Sequence, residues 1–185
     1  MTENPGPPDS QQFVRAVPEG DDRERLVCAQ CGVVHYENPK IVVGVVPYTG
    51  DGRVLLCRRN IPPRKSTWTM PAGYMELGET AEHGAKREAW EEAGADVVLE
   101  NLIGTYSIPH IAQVQLIYRG RLINPETVEA GPESETVELV PWAAVPWDEL
   151  SFPSVRWALT HFAETYADPV IQPRENPDRP DPETA

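Results

Sequence analysis

Glu88, Glu91 and Glu92 stand at positions i, i+3 and i+4, so on a helix their carboxylates share one face. Glu76, Glu79 and Glu82 lie just upstream. Like charges this close repel one another and weaken a helix unless water solvates them or a divalent cation neutralises them. Carboxylate oxygens suit hard cations such as Mg²⁺ or Mn²⁺. A partly hydrated Mg²⁺ on a few carboxylates is the usual arrangement where substrate phosphates complete the coordination. Spacing alone leaves two readings open, an ordinary solvated acidic face and a cation cradle. The chemistry of the second is hydrolysis of a diphosphate. A cation neutralises the bridging oxygens and acidifies the attacking water, and a general base adds about 10²–10⁴-fold. No serine or cysteine nucleophile is needed.

The acids sit on the clearest helix in the chain, residues 80–93, TAEHGAKREAWEEA. Ala81, Ala85, Ala89 and Ala93 recur every four residues and form a small-residue stripe for close packing. Thr80 can cap the start, Glu82 favours the first turn electrostatically, and Gly94 is placed to end it. Gly84 costs about 1 kcal/mol against alanine, so this helix relies on packing. Upstream, residues 40–48, KIVVGVVPY, predict a buried strand, and 53–59, RVLLCRR, its return across the turn TGDGR, with Asp51-Gly52 at the tip. A loop with Pro62 and Pro63 leads to a short extended stretch at 67–71. Further strands are expected at 97–106, 113–122 and 138–141, and Val155, Leu159, Phe162 and Tyr166 give 153–166 helical spacing. Strands, helix, strands, helix predict a mixed α/β or α+β sandwich with helices covering a sheet.

A chain of 185 residues suffices for one domain with a sizeable core plus a small appendage. Its composition, 40% hydrophobic and 24% charged, is that of a folded soluble protein. Acids outnumber bases 29 to 16, a net charge of −13, which is a poor match to phosphate-mediated nucleic-acid binding, so no nucleic-acid partner is expected. No apolar run approaches the ~20 residues that span a bilayer, so no membrane partner is expected either. The stretch MTENPGPPDSQQ lacks the basic and apolar regions of a signal peptide, and Cys28, Cys31 and Cys57 are too few for a disulfide framework. The cytoplasm is the expected compartment. Many of the 20 prolines sit near the two ends, and residues 1–20 and 168–185 are expected to be tails that bury too little to offset their ordering entropy.

Residues 73–95, GYMELGETAEHGAKREAWEEAGA, resemble the Nudix box. That pattern is Gly, five residues, Glu, seven residues, Arg-Glu-aliphatic, one residue, Glu-Glu, one residue, Gly-aliphatic. Gly73, Glu79, Arg87-Glu88-Ala89, Glu91-Glu92 and Gly94-Ala95 fill it, with alanine in place of a bulkier aliphatic at 89 and 95. So many fixed positions make the match specific. The resemblance implies an α/β/α sandwich with a mixed sheet, and hydrolysis of a nucleoside diphosphate linked to another group. It implies that Glu88 and Glu92 ligate Mg²⁺ or Mn²⁺, with Glu91 a further ligand or an aid to deprotonating the water. Arg87 would pair with Glu79 and orient the cluster, and the Ala72 carbonyl would add a metal contact. Gly73 and Tyr74 would lie on the substrate side.

A narrower resemblance covers nearly the whole chain. CAQCGVVHYENPK, VLLCRR, TWTMPAGYME, SIPHIAQVQL, GPES and PWDELSFPSVRWAL are similar to a Nudix subfamily with an N-terminal zinc ribbon that includes enzymes acting on FAD and ADP-ribose. It implies a degenerate zinc-ribbon-like β segment at 21–38, a Nudix domain at 39–167 and a homodimer. It also implies a small-molecule nucleotide substrate, ADP-ribose or FAD, releasing AMP. A nucleoside triphosphate sanitiser and a non-catalytic ribbon-based binding module are the alternatives.

The chain departs from that subfamily in two places. The earlier Cys-x-x-Cys of the ribbon is missing, so Cys28 and Cys31 supply two ligands and zinc is not expected. His35 reads equally as a third ligand or as a surface histidine. After GPES, Thr136 stands where relatives place an acid, and Glu135 is the choice among Glu133, Glu135 and Glu138. Arg58 and Arg59 end a strand leading toward the site; alternation should send one to substrate phosphate and the other away. Trp68, Tyr74, Tyr106 and Tyr36 read as stacking surfaces for adenine or flavin or as core, Pro109 and His110 as loop-shaping or substrate-facing, and Cys57 as core. The SQPWPFPQS stretch of NADH diphosphatases is absent, which lowers NAD(H) as the main substrate.

Overall fold

A computed structural model of the chain describes residues 13–168 and 172–177. The chain forms two compact units that meet in sequence between Asn38 and Pro39. In the first, strands β1 (Phe13–Ala16), β2 (Arg25–Cys28) and β3 (Val34–His35) make an antiparallel sheet in that order. An ion pair of 2.9 Å between Arg25 and Asp21 and the left-handed Gly20 and Gly32 shape its turns. The Phe13 ring lies 6.0 Å from that of His35. Strand β1 corrects the expectation that residues 1–20 are all tail: a backbone ladder, Phe13↔Cys28 to Ala16↔Arg25, holds this stretch, and ladders leave little trace in composition.

The second unit holds a mixed sheet of seven strands: β4 (Lys40–Tyr48), β5 (Arg53–Arg59), β6 (Trp68–Thr69), β7 (Ala72–Tyr74), β8 (Val97–Ile108), β9 (Gln113–Leu122) and β10 (Ser134–Pro141). The order is β10-β5-β4-β9-β8, with β6 added to β5 and β7 to β4. Among the described strands, β4 and β9 form the parallel pair, in register from Lys40↔Gln113 to Tyr48↔Arg121. The β4–β5 hairpin turns at Asp51-Gly52, with Gly52 at φ 85°. It is paired at Tyr48↔Val54 and then opens, β4 taking β7 as its neighbour and β5 taking β6.

Helix α1 (Ala81–Ala93) covers one face and α2 (Pro153–Thr165) the other. The strands divide their side chains by alternation: Val43, Val45, Leu55 and Cys57 pack toward α1, Val46, Val54, Leu56 and Ile117 toward α2. The expected α/β/α sandwich is what forms. Buried Arg119 finishes α2, donating to the Thr165 and Asp168 carbonyls at 2.9 and 3.1 Å in place of water. Past α2, Arg174 pairs with edge strand β8, its N–H on the Ile103 carbonyl at 2.9 Å and its carbonyl on the Thr105 N–H at 2.8 Å. The described part of 168–185 is therefore bound to the sheet rather than a free tail. Among the described residues no helix is long and apolar enough to cross a membrane.

Candidate active site

Helix α1 carries charge toward the sheet because its inward face is almost free of bulk. The Thr80 hydroxyl accepts from the His83 N–H at 3.2 Å, and Gly94 ends the helix at φ 56°. Ala85, Ala89 and Ala93 are fully buried. A Cβ on Gly84 would press on Val43 and on the Glu79 carboxylate, so the glycine that weakens the helix also lets it approach. Glu88 and Glu92 are drawn inward with the stripe, only 9% and 8% exposed. The Glu91 side chain is 57% exposed.

Arg87 ties the acids together. Its Nε and Nη2 donate to the two Glu79 oxygens at 3.1 and 2.9 Å, and its Nη1 to Glu88 at 2.7 Å and Glu91 at 2.9 Å. Nη2 also reaches the Tyr74 carbonyl at 3.0 Å, fixing β7 to the helix. Arg87, and then the Glu76 N–H, hold the Glu79 carboxyl at about 2. Burial, then the charges of Glu88 and Glu133, push the Glu92 carboxyl up to about 8, against the pull of Arg59 and the Ala72 N–H. Burial also raises Glu88, with Arg87 opposing and Glu91 and Glu133 adding to the rise. A Cβ on Gly73 would run into the Glu88 carboxylate, so this close approach requires glycine.

Desolvated carboxylates that raise one another are a donor set that a hard divalent cation would relieve, and the oxygen chemistry fits Mg²⁺ or Mn²⁺. Among the described residues no three His, Cys, Asp or Glu side chains already converge as ligands; Arg87 holds an oxygen of Glu88 and one of Glu91. In the first unit Cys28 is buried and Cys31 exposed, both as free thiols.

The loop before β10 completes the acidic end. The Glu129 and Gly131 N–H groups donate to the Ala93 and Glu92 carbonyls at 3.0 Å each, closing the C-terminus of α1. A Cβ on Gly131 would overlap the Glu91 carbonyl. This contact delivers Glu133 to Glu88 and Glu92. Glu135 goes elsewhere: it accepts from the Ser66 hydroxyl at 2.7 Å and lies 3.7 Å from Arg58. Glu133 borders the cleft, whereas Glu135, the acid the sequence favours, is turned aside at the start of strand β10 by alternation and a bulge. Arg58 is likewise engaged away from the site, its Nε on the Ser66 carbonyl at 3.1 Å, while Arg59 borders the cleft with its guanidinium 5.3 Å from the Phe152 ring.

The acids open on a cavity of about 1340 Å³. Ala72, Gly73, Tyr74, Arg87, Glu88, Glu91 and Glu92 border it, as do Pro109 and His110. Of the four aromatics considered for stacking, Tyr74 borders it. Tyr106 is core, its hydroxyl 2.8 Å from His161 Nδ1, Trp68 packs on the α2 side, and Tyr36 belongs to the first unit. Cys57 is buried, which pushes its thiol up.

A mixed sheet between two helices, with buried acids on a loop–helix–loop bordering a cleft, defines an α/β/α-sandwich protein with a carboxylate site. The chain belongs to the Nudix family: residues 38–164 match the NUDIX domain, and residues 10–37 match the segment described as Nudix N-terminal. It is similar to the crystal structure of a NUDIX hydrolase from Nitrosomonas europaea, with 37% identity over 89% of this chain and 93% of that one and a TM-score of 0.82. It is 30% identical over 166 residues to the NAD-capped RNA hydrolase NudC of Pseudomonas aeruginosa, covering 83% of this chain and 56% of the relative. It is 36% identical over 75 residues to the ADP-ribose pyrophosphatase of Methanocaldococcus jannaschii, covering 40% and 43%. The chain spans about half the length of these two curated relatives.

Proposed function

We propose that the chain hydrolyses a nucleoside diphosphate linked to a second group, with ADP-ribose or FAD as substrate and AMP as a product. The observation that carries this reading is the burial of Glu92 beside the charges of Glu88 and Glu133 on the border of the cleft. Three acids gathered there disfavour an anionic substrate until a divalent cation offsets them. Glu88 and Glu92, with Glu91, would hold Mg²⁺ or Mn²⁺, which when bound neutralises the diphosphate and acidifies the attacking water. Arg87 sets the angle of Glu88 and Glu91 while Glu79 fixes Arg87. Glu133, which borders the cleft, takes the proton of the water. Arg59, whose charge acts on Glu92 and whose guanidinium stands 5.3 Å from the Phe152 ring, borders the cleft and can receive a phosphate oxygen. Water adds to one phosphorus and the bridging oxygen leaves with the other, so ADP-ribose gives AMP and ribose 5-phosphate, and FAD gives AMP and FMN.

The curated relatives support a nucleotide substrate and differ in its second group: one is named for ADP-ribose, another for NAD-capped RNA. The cytoplasm, consistent with only three cysteines, and a homodimer complete the proposal. The test is product identification after incubating the purified chain and Mg²⁺ with ADP-ribose, FAD, NADH, a nucleoside triphosphate and NAD-capped RNA. AMP from ADP-ribose or FAD, abolished by chelation, is expected. Turnover of the triphosphate alone, or of nothing, overturns the reading.

A further inference from the structure

The family match ends at residue 164, yet the cavity does not. Asn176 and Pro177 border it, carried there by a segment that runs along the outer edge of β8. Two independent attachments hold this segment. Arg174 exchanges backbone hydrogen bonds with Ile103 and Thr105. Asn176 clamps one residue of β8 from both sides: its Oδ1 accepts from the Ser107 N–H and its Nδ2 donates to the Ser107 carbonyl, each at 2.8 Å. A side-chain amide spent on one residue's two backbone groups mimics a further strand and fixes where Pro177 stands.

Besides the acids, Ile108, Pro109, Phe152, Val155 and Trp157 border the cleft, and all but Pro109 pack with the core on the α2 side. The Trp157 ring is itself set against Tyr106, with centroids 5.6 Å apart. An apolar, aromatic arm with a few polar groups at its edge suits a flat heteroaromatic ring rather than a sugar phosphate.

We propose that Asn176 and Pro177, at the end of the strap 172–177, form a wall of the substrate site that holds the adenine end of the nucleotide, Asn176 being its positioning residue. The proposal rests on the diphosphatase reading above and goes beyond it, because the wall lies outside the region shared with the NUDIX domain. The acids cut the diphosphate; the strap grips the base.

Two variants test it: a chain ending at Asp168, which keeps the carbonyl that Arg119 uses, and Asn176→Ala. Each is assayed with Mg²⁺ on whichever substrate the intact chain hydrolyses, and with AMP and ribose 5-phosphate as separate inhibitors. KM and the inhibition constant of AMP should both rise about tenfold, with kcat changed less than about threefold and the inhibition constant of ribose 5-phosphate unmoved. A structural defect would weaken both inhibitors together or lower kcat, and either result overturns the proposal. So do unchanged constants for AMP, and so does a truncated chain that is more active, which would make the strap an obstruction. An intact chain that hydrolyses no substrate in the panel removes the diphosphatase reading and this inference with it; an intact chain that does, with variants of equal KM, removes this inference alone.

Discussion

Helices α1 and α2 have 13 residues each and cover opposite faces of one sheet, yet they bury opposite things. α1 buries Gly84, Ala85, Ala89 and Ala93, and with them Glu88 and Glu92. α2 buries Val155, Leu159 and Phe162, and its Phe162 ring meets Tyr48, Trp142 and Tyr166. A buried leucine or phenylalanine contributes about 1.5–3 kcal/mol, and an alanine far less. The face that needs its backbone close to the sheet, so that carboxylates can be brought inward, therefore cannot also be the face that stabilises the domain. One side holds the fold together and the other spends that stability on buried charge.

Exchanging the burdens of the two sides tests this division, and the largest effect should come from the acids. Glu92→Gln keeps the shape of the side chain and removes a charge pressed against Glu88 and Glu133. We expect kcat to fall by about 10²-fold or more while Tm at pH 8 stays level or rises, measured by steady-state kinetics and calorimetry. A variant that unfolds instead would make Glu92 a structural residue and end the contrast. Phe162→Ala should show the reverse pattern. It should cost about 3–5 kcal/mol in denaturant unfolding, with kcat of the folded fraction within about twofold of the parent. An equal loss of activity at full occupancy of the folded state would mean that the α2 face also shapes the chemistry.

The same division explains what could be read from the chain. Periodicity announced both helices, since Ala81 to Ala93 and Val155 to Tyr166 each mark one face. A β-branched run announced β4, the turn after it announced β5 as its return, further strands were expected near β8 and β9, and fixed spacing announced the acids of α1. Illegible were features held by the backbone or by one polar side chain acting at long range. β1 and the Arg174–Asn176 strap pair through peptide groups, so neither the exposed Phe13 and Val14 nor the polar strap residues carry a pattern of burial. Arg119 sits in a strand where alternation shows only that it points to one face, and that it caps α2 follows from topology alone. That Glu133 rather than Glu135 borders the cleft depended on where β10 begins, four residues before the expected start. The available sign was Gly131, a residue without a Cβ just before the acids, where chain meets chain.

The smallest effect should come from the pair that holds the acidic side in place, and pH separates it from the rest. Glu79 sits at about 2 in the fold against an ordinary 4.5, mainly because Arg87 donates to both of its oxygens. A depressed carboxyl stabilises the fold fully above its unfolded value and loses that contribution as pH falls through its folded value, so the window runs from about 4.5 down to about 2. Asp21 and Asp51 titrate near the same value and act in the parent and the variant alike, so the difference between the two chains isolates Glu79. In Glu79→Gln, a neutral oxygen still accepts from Arg87 but the ion pair is gone. Its Tm should lie a little below the parent's at pH 7, and the gap should close as pH is lowered through the window. A gap that stays constant down to pH 2 would mean that Glu79 acts by shape rather than by charge. Arg87 would then need no counter-charge to keep Glu88 and Glu91 aimed, and the acidic face would be held, like its opposite, by packing.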